Sequence, residues 1–232
     1  GLWKNITWAE YHKRACWIGS ALVSLGFKKG DAACIIGDNA VEWVVADMGI
    51  QCVGGISVGV YSTNAWSQVE YVVTHSDAQF LFVENEEQLD KWLMFREKTP
   101  LLKKVIVCDT KGLNAFNDPM VMTFEELLEI GAEVHREHPD LFADHQARVT
   151  PDDTAVLIYT SGTTGPPKGA VLTHGNVTWI ARAVARTNPV FDTDQVLSFL
   201  PLCHIFERLF TVFIHVSYAY TVNFVEKPDT VM

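Results

Sequence analysis

The stretch 159–169, YTSGTTGPPKG, brings hydroxyl groups, glycines and one lysine together behind an apolar run. Glycine lets backbone N–H groups approach an anion closely and adopt positive φ. The serine and threonine hydroxyls add hydrogen-bond donors, and Lys168 adds a mobile positive charge. A flexible polar turn is the simpler interpretation, but a turn requires neither four hydroxyl groups nor a lysine after two prolines. The stretch therefore predicts a phosphate-binding loop made of Thr160, Ser161, Gly162, Thr163, Thr164, Gly165, Lys168 and Gly169.

Two common phosphate loops do not match this stretch. A Walker A sequence requires Gly-Lys-Ser/Thr, whereas here Pro167 precedes Lys168 and Gly169 follows it. A dinucleotide-binding GxGxxG fingerprint opens directly into a helix, whereas here a short apolar stretch comes first. The loop must therefore belong to another class of phosphate site.

Two further patterns could carry chemistry. The stretch 55–59, GISVG, matches the GxSxG of serine hydrolases, with Ser57 as nucleophile. That motif requires a helix immediately afterwards, and VYSTN intervenes, so a turn at a strand edge is favoured. His135, His138 and His145 lie in a charged segment without matching cysteines or an HExxH pattern, which favours a solvated segment over a metal site.

Helices and strands alternate along the chain, and these elements must position the loop. Thr7 followed by Glu10 predicts a capping box and a helix that ends near Leu25, before Gly26. Short apolar runs predict buried strands, with helices between them. The predicted strands are 32–36, 55–60, 79–83, 103–109, 154–159 and 169–174, and the predicted helices after the first are 40–54, 67–75, 86–95 and 176–186.

This alternation predicts an α/β fold of mostly parallel sheets with flanking helices. The loop then lies at the carboxyl end of strand 154–159, where open α/β sheets bind ligands. The polar, proline-containing stretch 135–153 predicts a connector. Residues 1–150 are accordingly predicted to form a first α/β subdomain, and residues 151–232 to begin a second part.

Composition restricts the class of protein further. The 232 residues are 48% hydrophobic, and the net charge of -10 comes without any lysine or arginine block, which argues against nucleic-acid binding. The dispersed cysteines predict a reducing, cytoplasmic compartment. The most apolar segment, 196–225, is interrupted by Pro201 and by charged residues, so it is too polar for a membrane span and a soluble protein is expected.

The order YTSGTTGxPKG, an apolar strand and LTHGN closely resembles the signature of the adenylate-forming superfamily. Its members include acyl-CoA synthetases, luciferases and the adenylation domains of peptide synthetases. The segment LPLCHIFERL (200–209) resembles one that long-chain acyl-CoA synthetases carry after the phosphate loop. The segment 37–64 resembles their upstream region, particularly that of the bubblegum-type group. The resemblance covers nearly the whole chain.

The resemblance implies an ATP-dependent, AMP-forming long-chain fatty acid–CoA ligase that uses Mg²⁺. A fatty acid carboxylate would attack the α-phosphorus of ATP, and the thiol of coenzyme A would then displace AMP. The loop would hold the ATP phosphates, with Thr163 or Thr164 helping to position the metal. His204 matches a histidine near the reacting carboxylate and α-phosphate, so His204 and Lys168 are the candidate catalytic residues. From the residues themselves, His204 is as readily structural as catalytic, and Glu207 with Arg208 is expected to form a pair within one helix turn.

The resemblance also implies segments beyond Met232. These are an aromatic-Gly-x-Thr-Glu stretch whose glutamate binds magnesium, an aspartate for the ribose hydroxyls, a hinge and a small C-terminal domain with a catalytic lysine. The chain is therefore expected to be an N-terminal fragment that is inactive by itself. Self-association of the fragment and peripheral contact with a membrane are further expectations. A non-catalytic nucleotide-binding or interaction module and a serine hydrolase using Ser57 remain the alternatives.

Overall fold

The computed structural model describes residues 3–160 and 166–225 of the chain. Five of the predicted phosphate-binding residues lie outside these ranges: Ser161, Gly162, Thr163, Thr164 and Gly165. Both threonines expected at the metal are among them. The residues on either side of this gap are described, and they define where the loop begins and ends.

Seven strands form the main sheet: β1 (Ala32–Ile36), β2 (Ile56–Val60), β3 (Ala78–Val83), β4 (Lys104–Val107), β5 (Val121–Thr123), β6 (Thr154–Thr160) and β7 (Lys168–Thr173). Their order across the sheet is β5-β4-β3-β1-β2-β6-β7. Each neighbouring pair is parallel except β6 and β7, which are antiparallel. The predicted α/β fold with a mostly parallel sheet is confirmed.

Helices cover both faces of this sheet. One face, which carries Ala33 and Ile35 of β1, packs against α1 (Trp8–Ser24), α2 (Val41–Cys52), α5 (Phe124–Glu137), α6 (Leu141–Gln146) and α7 (His174–Thr187). The opposite face packs against α3 (Trp66–His75) and α4 (Glu86–Leu93), which a 3₁₀ turn at Arg96–Lys98 follows. Burial on both faces explains why the central strands are continuous apolar runs.

The first helix begins as its sequence predicts, with one difference. The Thr7 hydroxyl accepts a hydrogen bond from the backbone N–H of Glu10 at 3.2 Å, which satisfies one free donor of the first turn. The Glu10 carboxylate, however, turns away to two basic residues of its own helix, Lys13 and Arg14. The N-cap is therefore confirmed, while the reciprocal half of the capping box is replaced by ion pairs.

The stretch 135–153 is partly helical, with turns and loops at 138–140 and 147–153, and its role as a connector stays a prediction. It contains the end of α5 and the whole of α6. A Cβ atom at Gly131 of α5 would lie only 1.9 Å from the Trp17 carbonyl oxygen of α1, so glycine permits this close approach. Within the described ranges, no three histidine, cysteine, aspartate or glutamate residues cluster as metal ligands would, and this includes the histidines at 135, 138 and 145.

A second, two-stranded parallel sheet pairs β8 (Gln195–Ser198) with β9 (Thr221–Phe224). The connection between them contains one continuous helical segment: α8 (Ile205–Arg208), π-helical turns at Leu209–Ile214 and α9 (His215–Tyr218). Strands from both sides of residue 150 share the main sheet, and the division into 1–150 and 151–232 stays a prediction. Within the described ranges, every helix is too short or too polar to cross a membrane.

Candidate functional site

The base of the predicted phosphate loop is a pair of antiparallel strands. Thr160 ends β6 and Lys168 begins β7, and these two residues lie opposite each other in the register. Both are exposed. Gly169 lies opposite Tyr159, and a Cβ atom at Gly169 would come within 3.4 Å of the tyrosine ring. The structure thus brings Thr160, Lys168 and Gly169 together at the carboxyl end of β6, as predicted.

Aromatic side chains of α3 hold both ends of this loop base. The Tyr71 hydroxyl donates a hydrogen bond to the carbonyl oxygen of Pro167 at 3.0 Å. The His75 ring, stacked on Tyr71 at 5.1 Å between centroids, shares a 2.8 Å hydrogen bond with the Tyr159 hydroxyl. Burial raises the pKa of Tyr159 to about 12, so its hydroxyl stays protonated at neutral pH. These contacts fix the chain immediately before and after the loop.

The topology of the sheet predicts a crevice at the carboxyl ends of β1 and β2. The loop after β1 leads to α2 on one face of the sheet, and the loop after β2 leads to α3 on the other face. Adjacent strands whose connections separate in this way create the usual ligand site of an open α/β sheet. The 200–204 segment lies against this crevice, because Cys203 packs directly on Gly59 of β2. Since β2 also pairs with β6, this segment and the loop base at Thr160 and Lys168 occupy neighbouring positions on one edge.

His204 caps α8, and this contact determines how its ring can act. Its Nδ1 accepts a hydrogen bond from the backbone N–H of Phe206 at 3.2 Å. In the neutral imidazole only one nitrogen is an acceptor, so the other, Nε2, carries the proton. The side chain is exposed. His204 therefore presents an N–H donor towards solvent, suited to an anionic oxygen, whereas a general base would require a free acceptor nitrogen.

Two nearby nucleophile candidates have the wrong surroundings. Ser57 lies in the middle of β2, is fully buried, and its hydroxyl has no hydrogen-bond partner among the described residues. A nucleophile elbow requires an exposed serine on a sharp strand-to-helix turn, so the serine hydrolase alternative does not fit. Cys203 precedes His204, but burial raises its pKa to about 12 and keeps it a neutral thiol.

Comparison with known families explains why these features occur together. The family model of the AMP-binding enzymes matches residues 1–232, which is the whole chain. The chain belongs to the AMP-binding enzyme family. Its resemblance to the adenylate-forming superfamily is thereby confirmed.

The curated relatives of this AMP-binding chain include bubblegum-type ligases. This chain is 31% identical over 231 residues to the long-chain-fatty-acid–CoA ligase ACSBG2 of Xenopus laevis. That alignment covers 98% of the chain but 30% of the relative. The chain thus spans about a third of the length of the curated relatives it matches.

Solved structures agree with the fold of this AMP-binding chain. The anthranilate CoA ligase AuaEII in complex with anthranoyl-AMP superposes with a TM-score of 0.80 at 22% identity, over 94% of this chain and 40% of that one. The ATP-bound MatB from Rhodopseudomonas palustris superposes with a TM-score of 0.78 at 20% identity, over 98% of this chain and 42% of that one. At such identities these likenesses establish the fold.

The same edge of the sheet also contains residues that the sequence did not indicate. Asn39, in the loop after β1, accepts a hydrogen bond from the backbone N–H of Leu202 at 3.1 Å and donates one to the Leu200 carbonyl at 2.7 Å. Asparagine directly after a strand is a recognisable signal for such a contact, since its side chain can serve as donor and acceptor. Arg208 pairs with Asp47 of α2. The predicted pairing of Glu207 with Arg208 is therefore wrong, and the Glu207 carboxylate instead accepts from the Thr211 hydroxyl.

Proposed function

We propose that this chain supplies the ATP-phosphate site and the carboxylate-activating histidine of a long-chain fatty acid–CoA ligase. The observation that carries the proposal is the common edge of the sheet. There, the loop base with Lys168 on β6–β7 and the His204 segment on β2 lie on adjacent strands. Family membership and the similarity to ACSBG2 support the reaction class.

The described residues fit a phosphate group at this position. Thr160 and Lys168 are exposed at the loop base, so a hydroxyl donor and a cation are free to face an anion. Gly169 leaves the backbone beside them uncovered except for the Tyr159 ring. We assign the remaining phosphate contacts to 161–165 and the metal contact to Thr163 or Thr164, which lie outside the described residues. Bound Mg²⁺ would neutralise phosphate charge.

The reaction we propose has two steps. A fatty acid carboxylate oxygen attacks the α-phosphorus of ATP, the bond to the bridging oxygen breaks, and pyrophosphate leaves. The thiol of coenzyme A then attacks the acyl carbon and AMP leaves. Lys168 binds phosphate oxygens through its ammonium group, and the Nε2–H of His204 donates to an oxygen on the reacting carboxylate or the α-phosphate. Such catalysis depends mainly on positioning and charge stabilisation.

We further propose that the ligase acts on fatty acids in the cytoplasm, with residues 1–150 and 151–232 contributing successive parts of its large domain. Peripheral membrane contact and self-association stay predictions. The alternative, a non-catalytic nucleotide-binding module, shares the phosphate site but makes no acyl-adenylate. Fatty-acid dependence of the reaction therefore distinguishes the two functions.

Replacing Lys168 with alanine tests the proposed function in the full-length protein that contains these residues. We expect palmitate-dependent ATP–pyrophosphate exchange to fall about 10- to 100-fold, because one charge at the transferring phosphates is lost. The free energy of unfolding should change by less than about 0.5 kcal/mol, because the side chain is exposed.

Lys111→Ala is the matched control, because this exposed lysine carries the same charge in the turn after β4, away from the loop. It should leave exchange unchanged. Equal losses of exchange activity in both variants would mean that the effect comes from net charge and not from the position of Lys168. ATP binding by the wild type without any palmitate-dependent exchange would favour the nucleotide-binding module instead.

A further inference from the structure

A fully buried ion pair lies one helical turn after His204. The guanidinium of Arg208 and the carboxylate of Asp47 both have 0% of their side-chain surface exposed. The Arg208 Nε donates to Asp47 Oδ2 at 3.1 Å, and Nη2 donates to Oδ1. The Gln51 amide adds a third donor to the same carboxylate at 2.8 Å. The guanidinium also lies over the Trp43 ring, 5.1 Å from its centroid.

Stability is a weak explanation for this pair. Removing two charges from water costs free energy that their attraction only partly returns, and apolar residues of similar volume often stabilise a core equally well. The Nη1 group of Arg208 is buried without a hydrogen-bond partner among the described residues, which adds to the cost. A bidentate guanidinium–carboxylate contact does, however, fix orientation as well as distance.

The element whose orientation is fixed is the one that carries His204. The backbone N–H of Arg208 donates to the carbonyl oxygen of His204 at 3.1 Å, so the two residues belong to one turn. That turn, α8, is too short to be stable without tertiary contacts and continues into π-helical geometry, which often marks functional sites. Before His204, Asn39 holds the 200–202 backbone. The histidine thus lies between two attachments to α2 and the loop that precedes it.

We propose that Asp47 and Arg208 are positioning residues that hold His204 in register with the reacting groups of the ligase. This inference rests on the proposed function. The pair touches no substrate. Its role is to set where the Nε2–H of His204 points, and a displacement of that donor by about 1 Å can reduce a rate on the order of 100-fold.

The decisive variant removes the charges while keeping the core filled. Asp47→Val, Gln51→Met and Arg208→Met together replace the buried polar cluster by apolar side chains. We expect this triple variant of the full-length protein to unfold near the wild-type temperature. The kcat of palmitate-dependent ATP–pyrophosphate exchange should nevertheless fall about 10- to 100-fold, with a smaller change in the KM for ATP.

The same triple variant in a His204→Ala background separates positioning from general structure. If the cluster acts through His204, the triple substitution should lower the kcat of ATP–pyrophosphate exchange by less than about threefold in that background. The reason is that the effects of residues that act as a unit are not additive. Equal losses in both backgrounds would overturn the proposal, as would full activity of a folded triple. Should the triple fail to fold, the nearly isosteric Asp47→Asn gives the same two-background comparison.

Arg96 provides a matched control on the other face of the sheet. It pairs with Asp118 at 2.6 Å and lies over Trp92 at 5.1 Å, which matches the contacts of Arg208, although 37% of the Arg96 side chain is exposed. Arg96→Met should leave exchange unchanged, and an equal loss there would overturn the proposal. ATP–pyrophosphate exchange by the wild type that does not depend on fatty acid would instead contradict the proposed function. A normal exchange rate in His204→Ala, together with a reduced rate in Lys168→Ala, would contradict only the positioning role of Asp47 and Arg208.

Discussion

Gly59 gives the His204 segment room to lie directly on β2. A Cβ atom at this position would come within 2.7 Å of the Cα of Cys203, which is backbone and has no rotamer to change. Gly59→Ala should therefore displace the 200–204 segment from the crevice. We expect a loss of about 1–3 kcal/mol in the free energy of unfolding. Fatty-acid-dependent exchange should fall by about tenfold or more in the full-length protein.

Ser57→Ala is the natural control for this substitution, since it lies two residues earlier on the same strand. It removes a buried hydroxyl that has no partner among the described residues. The free energy of unfolding and the rate of ATP–pyrophosphate exchange should therefore hardly change. Amide hydrogen exchange shows where Gly59→Ala acts. The substitution should speed hydrogen exchange of the Leu202 and His204 amides and leave that of the β3 amides unchanged. Normal protection of these two amides would contradict the steric argument.

Residue predictions from the sequence succeeded where the cause is local. Thr160 and Lys168 meet because one short connection joins two strands, and Thr7 caps α1 through a contact three residues away. Arg208 is the opposite case, since its partner Asp47 lies 161 positions earlier. Sequence spacing suggested the adjacent Glu207, and only the packing of the 198–208 segment on α2 brings the true partner near.

At the level of elements, α9 is attached to α1 through an aromatic cluster with an acid-sensitive member. His215 lies 4.4 Å from Trp8 between ring centroids, and burial lowers its pKa to about 4. In the unfolded chain this histidine has a pKa of about 6.5. Between this pH and about 4, the unfolded chain therefore binds a proton that the folded chain does not. Stability therefore falls as the pH decreases from about 6.5 to 4. Over this pH range, the free energy of unfolding of His215→Phe should therefore decrease by about 1–3 kcal/mol less than that of the wild type.

Urea unfolding of the 232-residue chain at pH 7 and pH 4.5 measures this difference. The comparison between variants cancels the carboxylates, which contribute equally to both. Replacing the exposed His138 with glutamine serves as the control and should reproduce the wild-type loss. An identical pH dependence in His215→Phe and wild type would mean that the ring is already protonated in the folded state.

The strands that are buried on both faces were predictable from their apolar runs. The strands from β1 to β4 are continuous apolar runs, since helices cover both faces, and their predicted positions agree with the structure. The helix α5 was missed because its buried residues are separated by acidic ones, and its contact with α1 depends on Gly131. The π-helical turns at Leu209–Ile214 have no sequence signal, because their geometry follows from tertiary packing.

On the scale of the whole molecule, large apolar side chains are exposed in the part of the chain that follows the phosphate loop. Trp179 of α7 has 70% of its surface exposed, and Phe206 beside the site has 54%. The β7 strand lies at the end of the main sheet, so one of its edges is unpaired by any described strand. Exposed aromatic side chains and a free strand edge each favour association with further protein surface. The 232-residue chain is therefore expected to self-associate when it is produced by itself.

Catalysis by the 232-residue chain on its own should be lost even if it binds ATP. Its described site offers a phosphate cradle and one histidine donor, whereas placing every reacting group together supplies about 7–11 kcal/mol in favourable cases. ATP held through exposed phosphate contacts should also bind weakly and respond to salt, because such charges are screened over about 8–10 Å. We expect pyrophosphate release from ATP and palmitate at least about 100-fold below that of the full-length protein. Size-exclusion chromatography before the assay keeps aggregated chain from being counted as inactive. Turnover within about tenfold of the full-length protein would contradict this expectation, since the groups needed for proximity would then all lie within these residues.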